Sequence, residues 1–109
     1  MAYDEGLVQR LDEQLDGRRG VTQKKMFGGM CYLLYGNMFV GVVKNSLMVR
    51  VGPHGDAEAL RLPHARPMDF TGKPMKGYVF VDPGGFDADA DLAAWVERAV
   101  RFVSTLPKK

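Results

Sequence analysis

The chain has 109 residues, of which 46% are hydrophobic and 26% charged, and its formal net charge is +2. These values are typical of one globular domain that can bury a core without metals or disulfides, and they exclude a largely disordered chain. The basic charge is sparser than the basic face with which a duplex-DNA clamp neutralises phosphates. We therefore expect a single domain over residues 1–109.

The N-terminal residues lack the basic start and apolar stretch of a signal peptide. The longest apolar segment, around Met30 to Val43, is interrupted by Gly36-Asn37 and is shorter than the roughly 18 residues of a membrane span. Cys31 is the only cysteine, and a single thiol within an apolar run fits a reducing compartment. These features predict a cytoplasmic protein with no membrane partner.

Residues 4–16 carry an apolar side chain at every fourth position, which predicts an amphipathic helix. The repeated positions include Leu7, Leu11 and Leu15. Gly17 is a stop signal for this helix.

Three apolar segments separated by short turn signals follow, and they predict an antiparallel meander. The predicted strands are Lys25–Tyr35, Met38–Val43 and Leu47–Val51. The first hairpin closes at Gly36-Asn37, where glycine takes a positive φ, and the second closes at residues 44–46.

A pair of glycines, Gly28-Gly29, lies inside the first predicted strand. The pair lacks the spacing of a dinucleotide-binding loop and is not followed by a helix. Glycines within a strand more often mark a bulge or a place where another backbone passes closely, and we expect one of these here.

Apolar side chains are expected on both faces of the first two strands, although a sheet with one face in water should alternate. Strict alternation places Met38, Val40 and Val42 on one face of the second strand and Phe39 on the other. Helices can cover only one face of the meander, so a second subunit is the simplest cover for the rest. We therefore predict a homodimer, with Met38, Val40 and Met48 as candidate interface residues.

Residues 56–62 predict a short helix that Pro63 closes. The following segment, residues 63–77, contains three prolines and two glycines. Because these residues break regular structure, the segment is expected to be irregular.

A fourth strand is predicted over residues 77–82 and a final amphipathic helix over residues 89–105. One of Asp87, Asp89 and Asp91 is expected to cap this helix. The predicted fold is therefore a two-layer α+β fold. It consists of an antiparallel sheet, with a three-strand meander and at least one further strand, packed against N- and C-terminal helices.

Cys31 with His54 or His64 is the only cysteine–histidine pairing that could supply a nucleophile and a base. A thiol in the middle of an apolar strand is normally buried and inert. The two histidines lie ten residues apart and match no metal-binding spacing. We therefore predict that the protein is not an enzyme and has no catalytic residues, metal ligands or cofactor.

The segment from His64 to Lys76 combines rigid prolines with basic side chains, as binding loops often do. His64, Arg66, Lys73 and Lys76 form a candidate anion- or partner-binding surface. Binding of a protein partner, nucleic-acid binding through the basic 61–76 region, and a small-ligand pocket near His64 and Asp69 all stay open. A solvated connecting loop is the structural alternative.

Several motifs follow one another along almost the whole chain. They are Lys25-Met26-Phe27-Gly28-Gly29, Gly36-Asn37-Met38-Phe39, Leu47-Met48-Val49-Arg50-Val51, Pro67-Met68-Asp69-Phe70 with a Gly-Lys-Pro-Met run, and the Tyr78-to-Asp82 strand before a Trp-bearing helix. In their order and spacing they resemble the N-terminal domain of the TfoX/Sxy competence regulators, over about residues 4–105.

This resemblance implies a two-layer α+β fold and a regulatory role in bacteria, which the best-known members exert on DNA-uptake genes. It implies no catalytic residues. Full regulators of this type carry a second, helical domain at the C-terminus. This chain stops where that domain would begin, so we expect a stand-alone N-terminal domain. We therefore expect a non-enzymatic regulatory or protein-interaction domain.

Overall fold

The computed structural model describes residues 3–26, 28–70 and 73–109, excluding the side chains of residues 69, 70, 73 and 74. Its helices are α1 (Glu5–Leu15), α2 (Asp56–Ala59) and α3 (Asp89–Val103). Its strands are β1 (Val21–Met26), β2 (Gly29–Leu34), β3 (Asn37–Val43), β4 (Ser46–Arg50), β5 (Ala65–Phe70) and β6 (Lys73–Val81). A 3₁₀ turn, Pro83–Gly85, connects β6 to α3.

The six strands form one antiparallel sheet in the order β1-β2-β3-β4-β6-β5. The main core lies between one face of this sheet and the apolar sides of α1 and α3. The predicted α+β fold, with a meander, further strands and packed terminal helices, is confirmed. No helix in the described residues has the length and apolar character needed to cross a membrane.

Helix α1 forms where the apolar repeat predicts it. Asp4 caps the helix, because its carboxylate accepts hydrogen bonds from the backbone N–H groups of Gly6 (2.8 Å) and Leu7 (3.3 Å). Leu7, Leu11 and Leu15 are buried on the side that faces the sheet.

The prediction of one strand over residues 25–35 is wrong, because two strands, β1 and β2, occupy this region and pair with each other. Gly28 lies between them with a φ of +72°, a conformation that favours glycine. At Gly29 a Cβ atom would overlap the carbonyl group of Val42 on β3, which confirms the expected close backbone approach. Phe27 of the same motif lies outside the described residues.

The turn between β2 and β3 is formed by Tyr35 and Gly36, one residue earlier than predicted. Both residues have positive φ angles, +49° and +86°, as in the tight turns that suit the twist of a hairpin. The expected positive φ at Gly36 is confirmed.

Strand β3 contains a register shift that changes which side chains share a face. Tyr32 pairs with Val40 and Leu33 with Met38, so Phe39 is an extra residue on β3. Phe39 is fully buried in the main core together with Val40. The predicted strict alternation is therefore wrong here, because the bulge brings two consecutive side chains to the helix-covered face.

The prediction that residues 63–77 are irregular is also wrong, because β5 and most of β6 form a hairpin there. Strand β5 is an edge strand, so the missing N–H of Pro67 can be tolerated on its unpaired side. Gly77 has a φ of +88° within β6, and its carbonyl accepts bonds from Val51 and Gly52. The predicted fourth strand is thus only the second half of a longer strand.

Helix α3 forms as predicted, but no aspartate caps it. Ala88 occupies the capping position and makes no side-chain hydrogen bond to the helix. Asp89 and Asp91 lie inside the first turn, where negative charge is favourable against the helix dipole. Helix α2 is shorter than predicted and ends at Ala59.

Candidate functional site

A cleft of about 420 Å³ lies between the segment before β5, the 3₁₀ turn and α3. Apolar side chains such as Leu62 form part of its wall, and His64, Asp91 and Arg98 add ionisable groups. This volume is in the range of small-ligand sites in proteins. We refer to it as the His64 cleft.

The backbone conformation at His64 and two nearby glycines accommodate the imidazole ring. His64 has a φ of +68°, which is uncommon for residues other than glycine. A Cβ atom at Gly84 would lie 2.6 Å from Cε1 of the His64 ring, and one at Gly85 would lie 3.1 Å from the His64 Cβ. The two glycines therefore leave the space in which the ring packs.

Helix α3 supplies the opposite wall of the His64 cleft from one side of the helix, because Asp91, Trp95 and Arg98 recur at helical spacing. The Trp95 indole N–H donates a 3.1 Å hydrogen bond to the Gly85 carbonyl. Arg98 donates to Glu58 at 3.1 Å, and its guanidinium carbon lies 5.7 Å from the centre of the Trp95 ring. These contacts fix the position of the wall. They do not fill the cleft, which stays open to a ligand.

Arg66 lies in a different environment from His64. Its guanidinium stacks over the Phe80 ring, 4.8 Å from the ring centre. It donates to the carboxylate of Asp82 at 3.2 Å and 3.3 Å and to Oγ of Ser46 at 3.0 Å. The positive charge of Arg66 is therefore balanced within the chain.

The four predicted surface residues do not share one environment. His64 lines the cleft beside α3, whereas Arg66 lies over Phe80, a residue of the second buried cluster described below. Lys76 is exposed on β6. Lys73 also belongs to β6, but its side chain lies outside the described residues, as does that of Asp69 in the predicted pocket.

A second cluster of buried side chains lies apart from the main core. Its buried members come from four strands, and its half-buried members surround them. The members are Cys31, Met48, Met68 and Phe80, with Met26, Met38, Val43, Met75 and Tyr78 around them. We call it the methionine cluster.

This cluster changes the interpretation of the predicted dimer interface. Met48 is fully buried in the same cluster as Met68 of β5, so part of the second face is covered from within the chain. Val40 is fully buried in the main core. Neither side chain can contact a second subunit in this conformation, whereas Met38 is only half-buried. This cover cannot be seen in the sequence, because the prolines and glycines of residues 63–77 predict an irregular segment.

The thiol of Cys31 is poorly suited to nucleophilic chemistry. The residue has no exposed surface, and burial raises its pKa to about 11. Its Sγ lies 3.9 Å from the carbonyl oxygen of Met26, to which the S–H group donates a weak hydrogen bond. At neutral pH the thiol is therefore protonated and shielded from reagents.

The histidines and carboxylates do not gather around a metal position. His54 and His64 are both exposed and lie outside the methionine cluster. Within the described ranges, no group of three or more His, Cys, Asp or Glu side chains is placed to hold an ion.

The model of one protein family, the TfoX N-terminal domain, matches residues 13–103. The match runs from within α1 to the last residue of α3 and includes all six strands. The chain belongs to the TfoX N-terminal domain family. The resemblance found in the order of the motifs is thereby confirmed. No curated protein and no solved structure matched the chain.

The TfoX N-terminal domain family is a non-catalytic family, and both the His64 cleft and the methionine cluster lie within the matched residues. Sequence reasoning had selected His64 but missed the wall formed by Asp91, Trp95 and Arg98. Their helical spacing and the Gly84-Gly85 pair were visible in the sequence. What brings them to His64 is the path of the chain between β6 and α3.

Proposed function

We propose that this TfoX N-terminal domain is a regulatory domain that acts by binding a protein partner and not by catalysis. The observation that carries this proposal is the family match over residues 13–103. The state of Cys31 agrees with it, because the one thiol is buried and protonated. More specifically, we propose that the domain takes part in the control of genes for DNA uptake in bacteria.

A strain that lacks the gene tests the regulatory role. Transcripts are measured by sequencing under growth conditions that induce DNA uptake, and a discrete set should change and be restored by the wild-type gene. Complementation with His64→Ala and Arg66→Ala variants then tests the candidate surface. Lys24→Ala is the matched control, because Lys24 is exposed on β1 at the opposite edge of the sheet. An unchanged transcript profile in the deletion strain would contradict the proposal.

Self-association is part of the proposal, with Met38 as the remaining candidate contact. Light scattering at micromolar concentration should give the mass of two chains for the wild type. Met38→Glu should give the mass of one chain, and Leu60→Glu, at an exposed apolar residue, serves as the control. A monomeric mass for the wild type would rule out the dimer.

Small-ligand binding is a second candidate function, which the His64 cleft favours. A metabolite screen by thermal shift should find a compound that raises the melting temperature of the wild type. The shift should be lost in His64→Ala and kept in His54→Ala, which removes an exposed histidine that does not line the cleft. Nucleic-acid binding through residues 61–76 is less favoured, because His64 and Arg66 of this region lie in different environments and do not form one basic surface.

A further inference from the structure

Arg50, at the end of β4, differs from the other half-buried arginines that the structure describes. Arg10 is half-buried and pairs with Asp89 at 3.2 Å. Arg98 is half-buried and pairs with Glu58 at 3.1 Å. Arg50 is half-buried too, but it forms no ion pair with any acidic side chain among the described residues. Because charged groups that are partly removed from water are normally paired, a second molecule could supply the missing partner.

The guanidinium of Arg50 is held in place by contacts within the chain. Its carbon atom lies 5.5 Å from the centre of the Tyr78 ring and 5.5 Å from that of the Phe102 ring. Nη1 donates a 3.3 Å hydrogen bond to the carbonyl oxygen of Met38. These contacts restrict a long side chain before any partner arrives, so less conformational entropy is lost on binding.

The two aromatic rings are themselves positioned by the fold. Tyr78 lies directly opposite Arg50 in the pairing of β4 with β6. A Cβ atom at Gly52 would lie 2.5 Å from the Phe102 ring, and Gly52 has a φ of +88°, so glycine is required where this ring packs. The position of the guanidinium is therefore set jointly by β4, β6 and α3.

The Nε and Nη2 atoms of Arg50 are available to a ligand. The one hydrogen bond that Arg50 donates to a described group comes from Nη1. Among the described residues, no side-chain nitrogen or oxygen is both buried and without a hydrogen-bond partner. Nε and Nη2 therefore reach the solvent. In a guanidinium the N–H groups of these two atoms lie side by side and match the two oxygens of a carboxylate.

We propose that Arg50 anchors a docking surface for a protein partner, whose Asp or Glu carboxylate binds the Nε and Nη2 atoms. This inference rests on the proposed binding of a protein partner and identifies where on the domain it occurs. Met38, Tyr78 and Phe102 contact the guanidinium and are half-buried, so apolar surface borders the charge. Arginine, aromatic residues and methionine are enriched in the cores of protein interfaces. The matching surface of the partner is one acidic side chain among apolar ones.

The surroundings of Arg50 fit a protein better than a nucleic acid. A nucleic acid is held by several phosphate contacts from basic groups that lie together. The described contacts of Arg50 are two aromatic rings and a carbonyl group, and the formal net charge of the chain is only +2. A single guanidinium beside apolar groups suits one carboxylate rather than a row of phosphates.

A library of random peptides displayed on phage and selected against the whole chain tests this surface. The selected peptides should share an Asp or Glu next to apolar residues. Replacing that acid by its amide should weaken binding, measured by fluorescence anisotropy, by about tenfold or more, as the loss of an interface anchor does. Enrichment of no peptide, or of peptides without an acidic residue, would overturn the proposal.

Variants of the chain locate the selected peptide. Arg50→Gln should weaken its binding by about tenfold or more, and the amide form of the peptide should then lose nothing further, because the two groups act as one pair. Arg101→Gln is the matched control, since Arg101 is exposed on α3 and its replacement removes the same charge. Equal affinities of the two variants would overturn the assignment to Arg50 and leave partner binding at another site.

Circular dichroism checks the fold of each variant. If Arg50→Gln unfolds, Arg50→Lys takes its place, because lysine keeps the charge but lacks the planar fork. This variant should also bind the peptide more weakly than the wild type, and undiminished binding would overturn the proposal.

Two further measurements test other occupants of the surface. A mass in light scattering that changes with Arg50→Gln would assign the surface to a second copy of the chain. Binding of a labelled single-stranded oligonucleotide that depends on Arg50 would assign it to a nucleic acid, and either result would overturn the proposal. The transcripts of the deletion strain test the regulatory function independently of these measurements.

Discussion

The hydroxyl of Tyr32 donates a 2.7 Å hydrogen bond to the carboxylate of Asp12, which joins β2 to α1. The same carboxylate oxygen accepts a 2.7 Å bond from Gln23 on β1. Tyr32 has only 1% of its surface exposed, so its hydroxyl depends on these neighbours for hydrogen bonding. One acidic side chain at the protein surface thus connects the first helix to two strands.

Removal of the Tyr32 hydroxyl should lower the free energy of unfolding. For Tyr32→Phe we expect a loss of about 1–2 kcal/mol, since the bond to a carboxylate is broken. Urea unfolding followed by circular dichroism measures the change. Tyr35→Phe is the control, because Tyr35 is 40% exposed and water can replace its hydroxyl contacts. Equal losses for the two variants would refute the role of the Asp12 bond.

Alanine substitutions at the neighbouring residues Gly28 and Gly29 should lower the free energy of unfolding by different amounts, because each introduces a different kind of strain. At Gly28 a Cβ meets no other atom within 4 Å, and only the positive φ is unfavourable, which costs about 1–2 kcal/mol. At Gly29 the Cβ would overlap the Val42 carbonyl, so β2 and β3 must separate. Gly29→Ala should therefore be clearly less stable than Gly28→Ala in urea unfolding, and the reverse order would contradict the described register.

Cys31 should make the protein less stable at alkaline pH. Burial raises its pKa from 9.0 to about 11, so the folded state keeps the proton that the unfolded chain releases. The stability that the protonated Cys31 contributes to the folded state is fully present below pH 9 and is lost as the pH rises towards about 11. Cys31→Ala should therefore show a shallower decline in unfolding free energy between these two pH values. Burial and the Asp12 hydrogen bond also raise the pKa of Tyr32, so a decline due to that residue should persist in the variant.

The enclosure of Cys31 also predicts slow chemical modification. Iodoacetamide at neutral pH should label the native thiol far more slowly than the same thiol in denaturant, because the folded chain shields it and keeps it protonated. Mass spectrometry over time measures both rates. Equal rates would show that the methionine cluster opens readily.

The ion pair between Arg66 and Asp82 should contribute little to stability. The two side chains are 47% and 44% exposed, and exposed pairs typically couple by less than about 1 kcal/mol. A double-mutant cycle with Arg66→Ala and Asp82→Ala measures the coupling, which should shrink at high salt. A coupling well above this value would indicate that stacking on Phe80 and the Ser46 bond make the three groups act together.

Much of the candidate site could not be predicted from the sequence, because its residues come from distant parts of the chain. His64 was selected because it lies in a proline-rich segment with basic side chains, but its partners Trp95 and Asp91 lie about thirty residues further along the chain. The sequence shows that Trp95 lies on a helix, but not which loop that helix faces. The same limit applies to Met68, whose burial in the methionine cluster needs β5 to be a strand.

The sequence by itself determined both terminal helices, the meander and the family, because these depend on periodicity, turn residues and motif order over short stretches of chain. Tertiary structure decided the rest. Pro67 is compatible with a strand only because β5 is at the edge of the sheet, where a missing N–H costs no ladder bond. The bulge at Phe39 depends on how β3 pairs with β2, and it redistributes side chains between the two faces. Met48 looked like an interface residue because the strand that encloses its cluster lies about twenty residues away in sequence, and only the folded sheet brings them together.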